Sequence, residues 1–491
     1  MRRAKVEFVL YALVWVERAL LPAAVDVAPG FDFCHQAVKV KIQQQHQRRR
    51  TRVSDVHNEI MLLNIEKLIY GGDGLARTPA DAAGRSMAVF VPFVLPGEHV
   101  EAEIAPGKAG FARGSVSQLV ERSSERVEAA CPYFQQCGGC QYQHISDERQ
   151  LEYKAGILRE TLQRIAKIEL KAEIKLHPSP PWNYRNRTRL QVRTAPEFAL
   201  GYHRFGSHEF LPVRECPISS PLINRLMARL IELQGGGCPA GIEEVELFAD
   251  AGDERLLVWA FCGRDADREA LLRWAETVRR EVPAIAGMTF FPSRRRSEEE
   301  EPSDLKPLAQ SGTAEIIYRV RNAEYRVRAG AFFQVNRYLI DELVSTVTAN
   351  ARGEVALDLY AGVGLFSVAL ARSFHHIFAV EASQTSFGDL VHNSPANVKA
   401  VRARTEDYLR SARKRPDLVV LDPPRSGVGK SVTRLLVQLG APSVRYVSCD
   451  PATLARDLSP LLAAGYRIEE AHLFDLFPQT FHIESVMLLA R

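Results

Sequence analysis

The 491-residue chain has no apolar run long enough to cross a membrane, which takes about 18 or more such residues in a row. It has no strong charge of either sign. Lys and Arg total 63 against 59 Asp and Glu, a formal net charge of +4. That balance is compatible with a polyanionic partner and does not demand one. A disulfide framework is missing too, because three of the eight cysteines crowd between positions 131 and 140. In a chain this large, a tight cluster points to a metal or to catalysis. A clean secretory leader is also lacking. Phe8 to Val16 follow Arg2, Arg3 and Lys5, but Glu7 precedes the run, Glu17-Arg18 end it, and no small-residue cleavage site follows. A cytoplasmic protein with no membrane partner is expected. What remains is an ordinary globular composition, 46% hydrophobic and 25% charged, long enough for about two to four domains.

Residues 1–56 fit nothing later in the chain. The tract Gln43 to Arg50 is polar, basic and without a packing pattern, so it is expected to be disordered. It is either an arm touching nucleic acid or an extension from upstream of a natural start near Met61, and the second is favoured. From 57 to 121 the pattern turns to short strands, at Leu62–Ile69, Ala88–Val91 and Val100–Ile104. Turns are expected at Gly71-Gly72-Asp73-Gly74 and Pro96-Gly97-Glu98. This suggests a small barrel of the oligonucleotide-binding type. The phrases GGDGLART and VFVPFVLPGEHVEAEI resemble a TRAM domain, an RNA-binding barrel, against the plainer reading of any small β-barrel.

Cys131, Cys137 and Cys140 lie around Gly138-Gly139 and can converge on one centre, with Cys216 the best candidate for a fourth ligand. Four thiolates suit zinc or an iron–sulfur cluster, and spacing does not decide between them. Cys238 and Cys262 have apolar or glycine-rich neighbours and are expected to be structural. Residues 147–166 carry apolar positions at helical spacing. Trp182 to Arg189 mix aromatics with arginines before a strand at Leu190–Val192. That mixture suits stacking and phosphate contacts as well as it suits a solvated loop. Residues 293–307 form a charged loop. Residues 122–329 are taken as a central α+β domain.

Residues 330–491 alternate strand and helix, the pattern of a doubly wound fold. Ala331 to Asn336 lead into a helix over Arg337–Asn350. A strand at Val355–Leu359 meets Tyr360, Gly362 and Gly364 in a G-x-G turn, and a strand at His376–Val380 ends at Glu381. The glycines let a ligand approach the backbone, and the acid can hold ribose hydroxyls. Ser367 stands where a full dinucleotide fingerprint has its third glycine. That leans toward S-adenosylmethionine rather than NAD. Two further strands stop at Asp422-Pro423-Pro424-Arg425 and at Ser448-Cys449-Asp450-Pro451, and a later run reaches Glu484. Strand ends of this kind are where such folds bind ligands. Alone, Cys449 would more often be a buried structural thiol. Its neighbours make it a candidate nucleophile.

These residues match a family. From about Met61 to Arg491 the chain resembles the RNA uracil-5-methyltransferases, in particular the iron–sulfur branch acting on 23S ribosomal RNA. The match rests on DPPRSG (422–427), YVSCDPATLARDL (446–458), FDLFPQTFHIE (474–484), FFQVN (332–336) and the four cysteines. The resemblance implies a class I, Rossmann-like methyltransferase domain behind an OB-like TRAM barrel and an iron–sulfur domain. It implies a 4Fe–4S cluster on Cys131, Cys137, Cys140 and Cys216. It also implies S-adenosylmethionine contacts from Gln334, Tyr360, Glu381 and Asp422, a nucleophile at Cys449 and a base at Glu484. Leu365 departs from members that carry a polar residue after the G-x-G, which puts a cofactor contact there in question.

The chemistry agrees with those roles. Carbon-5 of uracil is a poor nucleophile until a thiolate adds to carbon-6. A carboxylate must then take the carbon-5 proton so that the thiol can leave. The base has to leave its stack to be reached. The expected partner is RNA, ribosomal favoured and transfer RNA the alternative, with the protein a monomer. A cytosine-5-methyltransferase would carry cysteine, and an amino methylase an aromatic, where this chain has Arg425. A non-catalytic RNA-binding iron–sulfur protein would have no use for Cys449 and Glu484.

Overall fold

The computed structural model of the chain describes residues 59–105, 110–293 and 306–491. The extension at 1–56 and most of the loop at 293–307 lie outside the described residues. None of the described helices is long and apolar enough to cross a membrane.

Five strands close into a barrel in the order β1-β2-β3-β5-β4. They are β1 (Glu59–Leu68), β2 (Asp73–Arg77), β3 (Ala88–Pro92), β4 (His99–Ala105) and β5 (Phe111–Glu121). Alternation builds the barrel: Leu63, Ile65, Val89, Val91, Val100, Ala102 and Ile104 fill its interior. The turn expected at 71–74 is shorter. Gly71 and Gly72 make it, at φ +110° and +93°, and Asp73 already starts β2. No strand was expected at β5. Its second half is largely exposed, so it shows no apolar alternation.

Helix α1 (Asp147–Ala166) covers the span expected from its pattern. After it come β6 (Ile174–His177), β7 (Arg187–Arg193), β8 (Ala199–His203), β9 (Phe210–Pro212), α2 (Pro221–Glu232), β10 (Ile242–Ala249), β11 (Leu256–Cys262), α3 (Arg268–Glu281), β12 (Ile285–Pro292), β13 (Ala309–Gly312) and the hairpin β14 (Glu315–Val320) and β15 (Ala323–Arg328). Seven of these strands form one sheet in the order β13-β12-β11-β10-β7-β8-β9.

The rest is α4 (Ile340–Thr348), β16 (Gly353–Leu359), α5 (Leu365–Leu370), β17 (Phe374–Glu381), α6 (Gln384–Asn393), β18 (Val398–Arg402), α7 (Thr405–Ser411), β19 (Leu418–Leu421), α8 (Gly429–Leu439), β20 (Ser443–Ser448), α9 (Pro451–Ala463), β21 (Arg467–Phe474) and β22 (Glu484–Ala490). α4 begins later than the expected Arg337, because the Asn336 side chain accepts from the backbone N–H groups of Tyr338 and Leu339 in a tight turn. The sheet order is β18-β17-β16-β19-β20-β22-β21-β6. β16 to β20 run parallel, and β22 runs antiparallel to β20 and β21. The chain winds one way from β16 to β18 and the other way through β19 and β20. The switch point lies between β16 and β19.

The boundary drawn at 329 cuts through what the fold keeps together. β6, inside 122–329, is the edge strand of the methyltransferase sheet, parallel to β21. Leu151, Leu158 and Leu162 of α1 share a core with Leu454, Leu458 and Leu461 of α9 on one face of that sheet. On the other face, Phe248 and Trp259 of the seven-stranded sheet and Tyr318 and Tyr325 of the hairpin share a core with Ala356, Val420 and Val486. Edge pairing across about 300 residues leaves no local signal in a sequence.

Candidate active site

The strand register assembles the site. Ser448 of β20 pairs with Ser485 of β22. Because β22 runs backwards, its first residue, Glu484, comes to the carboxyl edge where Cys449 follows β20. Asp422 follows β19 on the same edge, Tyr360 follows β16, and Glu381 ends β17. Cys449, Glu484, Asp422, Tyr360 and Glu381 therefore fall on one rim of the sheet, where open α/β sheets bind ligands.

Their fields overlap. Burial pushes the half-buried Cys449 thiol up to about 12. The carboxyls of Glu484 and Asp422 add to this, and Arg425 opposes it. Glu484 is 4% exposed; burial and Asp422 hold it well above the ordinary carboxylate range, again against Arg425. Burial and the neighbouring Asp358 raise Asp422 to about 7, with Gln334 pulling the other way. Gln334 Nε2 donates to Asp422 Oδ2 at 3.4 Å. The resting rim thus favours a protonated thiol and protonated acid. Arg425 is the group that favours both of their anions.

The turn after β16 is built to receive a ligand. Tyr360 is held at φ +65°, Gly362 at +56° and Gly364 at +95°, a conformation that favours glycine. A Cβ at Gly364 would stand 2.9 Å from Leu390 Cδ1, whereas one at Gly362 would meet nothing within 4 Å. Glu381 accepts from the N–H of Gly362 at 2.8 Å and of Ser383 at 2.7 Å. Asp358, fully buried beneath the turn, accepts from the Ser367 hydroxyl. Its Oδ1 has no hydrogen-bond partner, and burial raises it to about 7. A buried orphan acceptor, open space at Gly362 and the Gln334–Asp422 pair fit an S-adenosylmethionine-sized cation with amine and ribose donors.

The segment 475–483 leading to Glu484 is clasped from several sides. Lys154 of α1 donates to Asp475 Oδ1 at 2.7 Å and to the Phe477 carbonyl at 3.0 Å. Gln150 exchanges bonds with Gln479: its Nε2 donates to Gln479 Oε1 at 3.0 Å, and its Oε1 accepts from Gln479 N–H at 2.8 Å. The Gln479 carbonyl accepts from the N–H groups of Gln141 and Tyr142, both at 3.0 Å. Tyr184 Oη donates to the Pro478 carbonyl at 3.1 Å. Beside Glu484, burial together with Arg425, Lys154 and Arg185 pushes His482 down to about 3, so its ring is neutral.

The four expected metal-ligating cysteines lie within electrostatic reach of one another. Burial raises Cys131, Cys137 and Cys140, and the charge of Cys216 adds to each; Cys137 is raised to about 11. The Gly139 N–H donates to Cys137 Sγ at 3.4 Å. Among the described residues, no group of three or more metal-binding side chains is placed to hold a metal ion, so the expected cluster site is not shown. Cys262 is buried and Cys238 half-buried, as expected of structural thiols.

Sequence reasoning missed Lys154, Gln150, Gln479 and Tyr70. The first two carried a signal: they sit on the buried stripe of α1 with Leu151, Leu158 and Leu162, where a polar side chain needs a partner.

A mostly parallel switch-point sheet with a Gly-rich turn over a buried acid fits an S-adenosylmethionine-type methyltransferase. The family model described as tRNA (Uracil-5-)-methyltransferase matches residues 313–491, and that of the TRAM domain matches residues 56–117. A 23S rRNA (uracil(1939)-C(5))-methyltransferase from Halomonas elongata is 33% identical over 441 residues, covering 87% of this chain and 89% of the relative. An uncharacterized RNA methyltransferase from Streptomyces avermitilis is 33% identical over 453 residues, covering 87% and 97%. The crystal structure of the Pyrococcus abyssi tRNA (uracil-54, C5)-methyltransferase with S-adenosyl-L-homocysteine superposes with a TM-score of 0.67 at 25% identity, covering 88% of this chain and 100% of that one. The chain belongs to the RNA uracil-5-methyltransferase family and is an S-adenosylmethionine-dependent enzyme with an N-terminal TRAM barrel.

Proposed function

We propose that the enzyme methylates carbon-5 of a uridine in 23S ribosomal RNA, with Cys449 as nucleophile and Glu484 as base. The observation that carries this is the β20–β22 register, which sets Glu484 against the residue following Ser448. Cys449 adds to carbon-6 of the flipped uracil, and carbon-5 becomes nucleophilic. S-adenosylmethionine, when bound, supplies an electrophilic methyl group. Gln334, Tyr360, Gly362, Gly364, Glu381 and Asp422 would hold it. Glu484 then takes the carbon-5 proton, and the carbon–sulfur bond breaks to return the thiol. Arg425 favours the thiolate before attack and the carboxylate before proton removal, offsetting the burial that disfavours both.

The Halomonas relative, similar over nearly its whole length, supports ribosomal RNA as substrate. The Pyrococcus structure supports a second reading, uridine in transfer RNA. Mapping 5-methyluridine by nuclease digestion and mass spectrometry, in ribosomal and transfer RNA separated from cells with and without this protein, tests both. A site that disappears from transfer RNA alone would overturn the first.

Cys131, Cys137, Cys140 and Cys216 fit a 4Fe–4S cluster, which takes four thiolates. Support comes from the spacing of Cys131, Cys137 and Cys140 around Gly138-Gly139 and from the charge of Cys216 acting on all three. The Gln141 and Tyr142 bonds to Gln479 give such a cluster a structural role next to the site. Anaerobically purified protein should be brown, with about four irons per chain. Colourless protein holding stoichiometric zinc would refute the cluster.

A further inference from the structure

The barrel reaches the nucleophile directly. Cys449 lies between two residues whose positions are fixed. The Ser448 carbonyl accepts from Ser485 Oγ at 3.3 Å, and Ser448 Oγ donates to the Asp450 carbonyl at 3.1 Å. The Asp450 carboxylate caps α9, accepting from Ala452 N–H at 3.0 Å and Thr453 N–H at 2.9 Å. The carbonyl of Cys449 itself accepts from Tyr70 Oη at 3.3 Å. Tyr70 follows β1 of the barrel, 379 residues away in sequence. Its ring meets Phe481 edge-on, with centroids 5.6 Å apart, and Phe481 lies 4.2 Å from His482. Two residues on, a Cβ at Gly72 would stand 2.9 Å from Gln141 Cβ and 3.4 Å from Phe481 Cβ. The β1–β2 turn therefore rests against the loop that leads to Glu484 and against the residue after Cys140. Burial, then the charge of Asp450 and a hydrogen bond to its carboxylate, raise the Tyr70 hydroxyl far above its ordinary range, so it stays a donor at any working pH, shared between the Cys449 carbonyl and the Asp450 side chain.

We propose that Tyr70 is a positioning residue for the methyl transfer: by holding the Cys449 carbonyl, it fixes the peptide that presents the thiol and ties RNA gripped by the barrel to the nucleophile's readiness to attack. The proposal rests on Cys449 being the nucleophile. A TRAM barrel that only gripped RNA would need no bond to the catalytic strand end. This one places its turn where movement on RNA binding would be felt at Cys449.

The test uses the full chain, Tyr70→Phe, and two RNAs carrying either uridine or 5-fluorouridine at the modified position. Fluorine cannot leave as a proton does, so the second RNA accumulates the covalent adduct. Tyr70→Phe keeps the ring on Phe481 and removes only the donor. Loss of one hydrogen bond in the attacking state should lower kcat and the adduct-formation rate together by about five- to tenfold. KM for RNA and RNA affinity should stay at their wild-type values, and Tm should fall only slightly, because one partly buried acceptor loses its donor. A rise in KM at constant kcat would make Tyr70 an RNA contact alone and overturn the proposal, and so would no change in either rate. Phe481→Leu separates the rate effect from this loss of stability: it loosens the ring but keeps the hydroxyl. A loss of kcat in Phe481→Leu equal to that in Tyr70→Phe would assign the effect to packing and overturn the proposal. A smaller loss upholds it. Failure of the underlying assignment looks different: wild-type protein would form no adduct on 5-fluorouridine RNA, and Cys449→Ala would still methylate.

Discussion

Lys154→Met separates an architectural charge from a catalytic one. Lys154 is fully buried on α1, and its partner Asp475 is 5% exposed. Its ammonium makes two bonds, to Asp475 Oδ1 at 2.7 Å and to the Phe477 carbonyl at 3.0 Å. Methionine fills the same length without a donor, so a buried carboxylate and a buried carbonyl both lose their partner. Breaking a buried pair from one side costs about 3–5 kcal/mol, whereas replacing both members with apolar groups is close to neutral. Urea denaturation followed by far-ultraviolet circular dichroism should show Lys154→Met less stable by that amount, read as a lower midpoint at unchanged slope. Lys154→Met/Asp475→Leu should recover most of the loss, an interaction energy of several kcal/mol in the double-mutant cycle. Catalysis should not recover with it, because Asp475 begins the segment that carries Glu484. A single mutant within about 1 kcal/mol of wild type would refute the argument, since a fully buried cation that can be deleted so cheaply is not satisfying a buried anion.

The other predictions concern the rim. Glu484→Gln should add the thiol, transfer the methyl and stall, leaving methyl-labelled RNA attached through Cys449 on a denaturing gel, with turnover down by about 10²–10⁴-fold. Cys449→Ala should bind RNA and give neither product nor adduct; a free RNA band from folded Glu484→Gln would remove Glu484 from the mechanism. Gly362→Arg should abolish S-adenosylmethionine binding in calorimetry, because its side chain enters space where no protein atom lies within 4 Å of the Cβ; wild-type affinity would show the turn misassigned. Asp358 is raised to about 7 in the fold. Wild type is therefore not penalised below about pH 4 and loses stability as pH rises through 7. Asp358→Asn, which cannot ionise, should be more stable than wild type at pH 8, by up to about 4 kcal/mol at 1.36 kcal/mol per unit. That advantage should vanish at pH 4, and a pH-independent difference in urea midpoints would rule out a neutral Asp358.

How much of this was legible depended on whether a signal was local. The methyltransferase rim was legible because strand ends concentrate their chemistry within a few residues: Asp422 to Gly427, Ser448 to Pro451 and Phe474 to Glu484 each read as one phrase. Helix α1 was legible to the residue because its apolar spacing was strong. The fifth barrel strand was not, since β5 leaves most of its second half exposed and has no periodic apolar face. The domain boundary failed for a different reason. Whether β6 joins the seven-stranded sheet or the edge of β21 is set by pairing across the chain, and a four-residue strand carries nothing that chooses.

The same nonlocality explains why the site draws on the whole chain. A thiol attacking carbon-6 and a carboxylate taking a proton from carbon-5 act on adjacent atoms of one base. An error of about 1 Å in their placement can cost about 10²-fold in rate. The β20–β22 register sets the coarse position. It cannot set the path of 475–483, which leaves β21 and returns to begin β22 without strand bonds of its own. That path is set by side chains from elsewhere: Gln150 and Lys154 of α1, the Tyr184 hydroxyl and the Asn336 amide, which donates to the Leu476 carbonyl at 3.1 Å. Each comes from a segment with another task, close to the cysteines, the arginine-rich strand or the cofactor rim. Those segments are therefore bound into one body around the loop, whereas the barrel keeps a closed sheet and a core of its own.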